Sequence, residues 1–482
     1  MIPAFRVIWF TILLSALSLR AGVEDFTNAI GVSAEPVFPG VNWEFETNGF
    51  SSKTVQEVDA FVRTLDTTGL MVVKHGRVIY EYGDVKRLSY LASARKSVLS
   101  MLYGPYVASG KINLEATLKD LGMSDVGGLL PSEERAKVID LITARSGVYH
   151  PAAYPGDLLS MAPKRGSKEP GTYWLYSNWD FDAAGAAFEL MTGKNIYDAL
   201  RDDLAIPIGM QDFDRERQQK TGDQTRSQYP AYPMYLSTRD MARLGLLMLR
   251  QGQWRDHRII PAEWVRRSTS VRTPLAEMQP QEARAGPFGY GYLWWVWDGS
   301  FGTGPYQGAY SACGAFGQYI TVLPALDMVV AHKTWPSGKV HQSDYLRLLD
   351  LLTGRKPASA FELANWEHIS KVRPEAYAIP KPRIAIKLNP GIYDSYAGKY
   401  SFASETNRPG KMTLTIKRNG DALISQVTGQ FAEEIFPESS TTFFNAMEMA
   451  QLTFIKNDQG EVTSVILHAT GLPDREGKKI TE

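Results

Sequence analysis

Leu70-Met71-Val72-Val73-Lys74, His75-Gly76-Arg77 and Val78-Ile79-Tyr80 read in turn as strand, turn and strand, because apolar, largely β-branched runs flank a glycine-containing turn. Past Ser93 the period changes. Val98, Leu99, Leu102, Tyr106 and Val107 recur at helical spacing, which lays an apolar stripe along a helix, and Gly110 ends it. The same periodicity predicts helices over 133–144, 178–190, 239–251 and 342–353, the second with Phe181, Ala184, Gly185 and Phe188 on one face. Strand patterns return in the aromatic run Gly289–Trp297, in Phe316–Leu323 and in Met328–His332. Strands early and late, with helices between, imply an α+β unit: one antiparallel sheet built from both ends of the segment, flanked by helices.

Pro374, Pro380, Pro382, Pro390 and Gly391 punctuate a polar stretch and mark a boundary. Beyond it the pattern is strand and turn. Met412–Ile416 alternates, Arg418-Asn419-Gly420-Asp421 turns and Leu423–Val427 follows, while Leu452–Ile455 and Val462–Leu467 flank Asn457-Asp458-Gln459-Gly460. Short, evenly spaced strands predict a small all-β barrel or curled sheet. The expected organisation is a leader over 1–21, a main domain over 22–370, a linker over 371–389 and a small barrel over 390–482.

Composition narrows this little: 44% hydrophobic and 22% charged is ordinary for a folded protein. Lysine plus arginine equals aspartate plus glutamate at 52 each, so no basic excess drives binding to nucleic acid. Arg6 followed by the apolar run Val7–Leu17 and by Ala21-Gly22 predicts a cleaved secretory signal, hence an exported protein, periplasmic or secreted, with no stable membrane span after cleavage. Cys313, the single cysteine, permits no internal disulfide. The seven histidines form no close ligand motif. The expectation is an enzyme with neither metal nor cofactor.

Three segments carry candidate chemistry. In Ser93-Ala94-Arg95-Lys96 the three-residue separation puts a lysine amine one helical turn from a serine hydroxyl, on the same face. A free serine is a weak nucleophile and needs such a neighbouring base. Tyr176-Ser177-Asn178 offers a phenol that can take or relay that proton and an amide that can hold the lysine or a substrate carbonyl. Ala312-Cys313-Gly314-Ala315-Phe316-Gly317-Gln318 is a glycine-rich turn opening a strand, where a backbone N–H can face a ligand unobstructed. With the N–H of Ser93, one from the strand near Ala315 forms a candidate oxyanion hole, in which losing one donor costs about 3 kcal/mol of transition-state stabilisation.

The order of S-x-x-K, Tyr-x-Asn and a glycine-rich strand resembles the serine beta-lactamase and penicillin-binding superfamily, most closely its class C-like branch of esterases, D-aminopeptidases and 6-aminohexanoate-dimer hydrolases. Leu141–Gly147, Pro170–Asn178, Ser237–Leu244 and Gly252–Trp264 are similar to further family segments, so the resemblance covers roughly residues 50–355. It implies the beta-lactamase/transpeptidase-like fold, Ser93 as acylated nucleophile, Lys96 as its partner, Tyr176 as proton-transfer group, and Asn178, Gly314, Ala315 and Gln318 as substrate or oxyanion contacts. The region from about residue 390 resembles the small lipocalin-like domain appended to several such hydrolases, and packing over the mouth of the site and mediating oligomerisation are the two roles open to it here. One departure matters. Where class C enzymes carry Lys-Thr-Gly, this chain has Ala312-Cys313-Gly314, with no cation for a substrate carboxylate. Arg95 and Arg145 are the substitutes in view, and each reads first as a structural ion-pair partner. The expected activity is hydrolysis of a small amide, ester or peptide, with a D-stereospecific peptidase or penicillin-binding enzyme as alternative and an inactive binding protein of the same fold as a third reading.

Overall fold

The computed structural model describes residues 36–154, 158–334, 340–356, 385–403, 412–427, 432–445, 450–469 and 474–480. The expected leader and most of the expected linker lie outside them. In the main domain, strands β1 (Thr67–Lys74), β2 (Arg77–Gly83), β3 (Phe288–Tyr290), β4 (Trp295–Trp297), β5 (Tyr310–Gly314), β6 (Gln318–Leu323) and β7 (Met328–Thr334) form one sheet in the order β2-β1-β7-β6-β5-β4-β3. Every pairing is antiparallel. The early hairpin thus sits beside the last strand, as the distribution of strand patterns implies.

Alternation along the central strands divides the core between two faces. Met71, Val73, Ile320, Val329 and Ala331 pack with helices α2 (Arg95–Ala108), α3 (Asn178–Thr192) and α4 (Thr238–Leu249). Leu70, Val72, Tyr319, Met328 and Val330 face α1 (Ser52–Val62) and α5 (Gln342–Thr353). Pairing of Leu70 with His332 and of Tyr319 with His332 fixes which residues share a row. Among the described residues, no helix is long and apolar enough to cross a membrane.

Three local expectations need correction. The helix expected over 133–144 is a single turn at Glu133–Arg135 and a short helix at Val138–Ile142. Extended backbone at Ala136 separates them, and Glu133 turns aside to accept from the Leu130 N–H and from Arg165. The aromatic run 289–297 is not one strand. It folds back between β3 and β4, with Leu293 at φ 62°. Leu293 N–H donates to Ile142 O at 2.9 Å, and Ser97 Oγ donates to Leu293 O at 2.6 Å, bonds a continuous strand would not make. The strand expected from Phe316 starts at Gln318, after a turn. Helix α1 precedes β1 in the chain. Ser51 caps it by accepting from Thr54 N–H, and Val58 and Val62 are its buried contacts.

The C-terminal region is a closed barrel of eight strands, from Gly398–Phe402 to Arg475–Ile480. Tyr396, Tyr400, Phe443 and Phe454 pack against one another in its core. An eight-stranded barrel is just wide enough for side chains to fill, and here aromatic rings fill it.

Helix α4 approaches the sheet so closely that a Cβ at Gly245 would lie 2.4 Å from Val329 Cγ1. Gly245→Val is therefore expected to overpack this contact and destabilise the domain by about 1–3 kcal/mol, read as a lower urea midpoint at unchanged slope.

Candidate active site

Ser93 sits in a single tight turn, Ala92–Ala94, that runs straight into α2. Ala92, just before it, holds φ 49°, a left-handed conformation that costs a non-glycine residue roughly 1–2 kcal/mol. The turn leaves Ser93 half-buried at the helix N-terminus, while Lys96, one turn on, is 1% exposed.

Lys96 Nζ lies 2.9 Å from Ser93 Oγ, 2.7 Å from Tyr176 Oη and 2.8 Å from Asn178 Oδ1. It also sits over the rings of Tyr176 and Phe181, at 4.4 and 4.5 Å from their centroids. Asn178 opens α3, and Tyr176 lies in the extended segment leading to it, so two sequence-distant segments meet on one amine. An ammonium would donate to all three oxygens. A neutral amine would donate to Asn178 and one hydroxyl and accept from the other. The arrangement therefore accommodates a proton moving between lysine, serine and tyrosine without heavy-atom rearrangement. Burial raises the Tyr176 phenol above its ordinary range, an effect that the Ser93 hydrogen bond and the Arg95 charge partly offset, so at neutral pH it holds its proton.

The third segment closes the site from the sheet side. A Cβ at Gly314 would stand 2.4 Å from Leu91 O and 3.1 Å from Ala94 N, so the end of β5 and the turn carrying Ser93 abut backbone to backbone. Only glycine permits that approach. Ala315 is exposed on the following turn, and Phe316 holds φ 69°. Gln318 lies behind that turn rather than in the open. It is 1% exposed, and its amide nitrogen donates to Thr334 Oγ1 and O at 2.9 and 3.2 Å.

Both arginines in view as carboxylate binders are engaged in ion pairs. Arg95 meets Asp182 at 3.0 Å, with both side chains buried, and covers the Tyr232 ring. Burial alone would lower Arg95, but the Asp182 carboxylate together with Tyr232, Tyr90 and Tyr176 outweighs it and holds the guanidinium above its ordinary value. Arg145 pairs with Glu277 at 2.5 Å and donates to Thr273 Oγ1 at 2.9 Å. Of the aromatic run, Trp295 stacks on Tyr176 at 5.5 Å, whereas Tyr290, Tyr292 and Trp294 are buried.

Residues 58–351 match the beta-lactamase family. The chain belongs to that family. Residues 382–480 match a domain of unknown function, DUF3471. No curated protein matches the sequence. Among solved structures, this beta-lactamase family member is similar to an octameric penicillin-binding protein homologue from Pyrococcus abyssi, at 17% identity over 88% of this chain and 100% of that one, with a TM-score of 0.47. It is also similar to a Bacillus anthracis protein assigned as a 6-aminohexanoate-dimer hydrolase, at 18% identity over 70% of this chain and 88% of that one, TM-score 0.46. A third is EstCE1, a hydrolase with promiscuous acyltransferase activity, at 16% identity over 63% and 98% of the two chains, TM-score 0.46.

Sequence patterning passed over one part of this neighbourhood. His332, Lys333 and Thr334 end β7 as an all-polar trio, and each is buried to 1% exposure or less. Three polar residues closing an apolar strand are the available signal, since polar groups out of water must have partners. The His332 imidazole is pushed down to about 4 by burial, against a lesser upward pull from its bond to the Gly317 carbonyl.

An unfolded histidine takes up its proton near pH 6.5, whereas folded His332 resists until about pH 4. The unfolded state thus binds more protons throughout that window. His332 therefore stabilises the fold fully above pH 6.5, and this contribution falls as pH drops towards 4, by up to about 3 kcal/mol. Urea unfolding across pH 4–7 is expected to show a shallower dependence for His332→Asn than for the wild type, and parallel curves would overturn the assignment.

Proposed function

We propose that this beta-lactamase family member is a serine hydrolase that cleaves an amide or ester bond through an acyl-enzyme on Ser93. The observation that carries this reading is the contact of one buried amine, Lys96 Nζ, with both Ser93 Oγ and Tyr176 Oη at 2.9 and 2.7 Å. These are reacting distances for proton transfer.

In the first half-reaction Ser93 Oγ attacks the substrate carbonyl carbon and its proton passes to the Lys96 amine. The new oxyanion is held by the backbone N–H groups of Ser93 and Ala315. The tetrahedral intermediate collapses as the Tyr176 hydroxyl protonates the leaving amine or alcohol, and Tyr176 regains a proton from the Lys96 ammonium. The raised pKa of Tyr176 supports its role as this acid, because the phenol arrives carrying its proton. Water then attacks the acyl carbon, loses its proton to the Lys96–Tyr176 pair, and Ser93 leaves with a proton restored. Asn178 holds Lys96 in line through its Oδ1 at 2.8 Å.

The class of substrate follows from what faces the serine. Ala312 stands where the class C pattern places a lysine, and Arg95 and Arg145 are bound in ion pairs. This favours simple esters and amides over substrates that must be gripped by a carboxylate, as the peptidase and penicillin-binding readings require.

Incubation with a fluorophosphonate is expected to add one adduct mass to the wild type and none to Ser93→Ala. Lys96→Ala and Tyr176→Phe should slow labelling and ester turnover by about 10²- to 10⁴-fold. A folded wild type that neither labels nor turns over esters, amides or D-peptides would replace this reading with that of a binding protein. Turnover confined to D-peptides, with penicillin acylating Ser93, would replace it with the peptidase reading.

A further inference from the structure

We infer that His332-Lys333-Thr334, the last three residues of β7, is a positioning element that holds both halves of the oxyanion hole in register. The inference rests on the proposed roles of the Ser93 and Ala315 N–H groups.

Alternation along the strand sends His332 and Thr334 to one face and Lys333 to the other. On the first face the trio clamps the turn after Gly314. His332 Nδ1 lies 2.7 Å from Gly317 O, and since a carbonyl only accepts, this nitrogen bears the hydrogen. The other nitrogen, Nε2, then accepts from the Thr67 hydroxyl at 2.9 Å, which fixes a single neutral tautomer. Thr334 Oγ1 donates to Phe316 O at 2.7 Å, and Val340 N–H donates to the same carbonyl at 2.9 Å. Gln318 in turn donates to Thr334 Oγ1 at 2.9 Å. The two consecutive carbonyls of Phe316 and Gly317 are thus tied to β7 and to Val340. Three residues close this hairpin between the paired Gly314 and Gln318, so pinning two carbonyls sets where the Ala315 N–H points.

On the second face, Lys333 Nζ donates to Ser89 O at 2.6 Å, Tyr90 O at 3.2 Å and Leu236 O at 3.1 Å. Ser89 and Tyr90 lead directly into the strained turn of Ser93, and Leu91 N–H in the same stretch donates to Met234 O at 2.9 Å. One rigid strand therefore braces the serine turn from one side and the glycine turn from the other. Stability alone does not account for this choice. A buried amine is costly, and well-packed apolar residues usually serve a core at least as well. What the polar trio supplies is direction: each bond aims a specific carbonyl. Oxyanion donors must be placed to within about 0.5 Å to act.

The test compares Lys333→Met, His332→Leu and His332→Asn in the full chain, with Thr334→Val and Thr67→Val as milder variants that each remove one hydroxyl. For each, thermal midpoint, kcat and KM for p-nitrophenyl acetate, and the rate of fluorophosphonate labelling are measured well below unfolding. Lys333→Met and His332→Leu are expected to lose about 10- to 100-fold in kcat and in labelling rate, with KM within about threefold of wild type. His332→Asn, which keeps a donor near the Nδ1 position, should recover most of that loss. If the core variants do not fold, the hydroxyl variants carry the test, with an expected loss of about fivefold in kcat. Folded variants that lower only the thermal midpoint, or that raise KM at constant kcat, overturn the inference and leave the trio as a stability feature. A wild type without a Ser93 adduct overturns it together with the reading beneath it, whereas normal Ser93 labelling in every variant overturns it alone.

Discussion

Lys96 carries its amine to a place 1% exposed to solvent, where three oxygens stand within 2.9 Å. Leaving such a group without partners would cost several kcal/mol, so its three oxygens are a condition of burying it at all. They come from different parts of the chain: Ser93 from its own helix, Tyr176 and Asn178 from the approach to α3. Satisfying one nitrogen therefore docks two elements separated by eighty residues, and aligns two hydroxyls on a common amine. The same requirement explains why α2 and α3 pack on the same face of the sheet.

Around that amine the backbone is held in conformations it would not adopt unaided. Ala92 and Phe316 both have positive φ, on opposite sides of the serine, and each lies in a turn whose neighbouring groups are bonded elsewhere. Local strain of this kind persists only where surrounding structure over-determines it. Here the restraints come from strands and helices whose hydrophobic packing is already complete. The close approach of Gly314 to Leu91 and Ala94 belongs to the same arrangement, since any side chain there would push the two turns apart.

The barrel is built on a different principle. Its interior is filled by rings from three strands and the segment before them, with Phe454 in contact with Tyr396, Tyr400 and Phe443. Its buried polar groups are few beside those of the main domain, where the site is lined by amines, phenols and amides. Filling accounts for the barrel's stability, and chemistry is concentrated in the larger domain.

Periodicity and motif spacing by themselves determined the α+β domain and the all-β region after it, along with four of the helices and the serine, lysine, tyrosine and asparagine that converge. Those features are local. A helical stripe, a three-residue offset and a proline-rich boundary are all written within a few residues. The fold-back inside the aromatic run, the engagement of Arg95 and Arg145 in ion pairs, and the bracing by His332, Lys333 and Thr334 were decided only by tertiary structure. Each depends on which carbonyl or carboxylate, far away along the chain, arrives within 3 Å or so of a side chain. Leu293 is bonded to Ile142 and Ser97, and Lys333 to Ser89 and Leu236. Side-chain type states what a residue can bond, whereas only the packing of the sheet against its helices selects the partner.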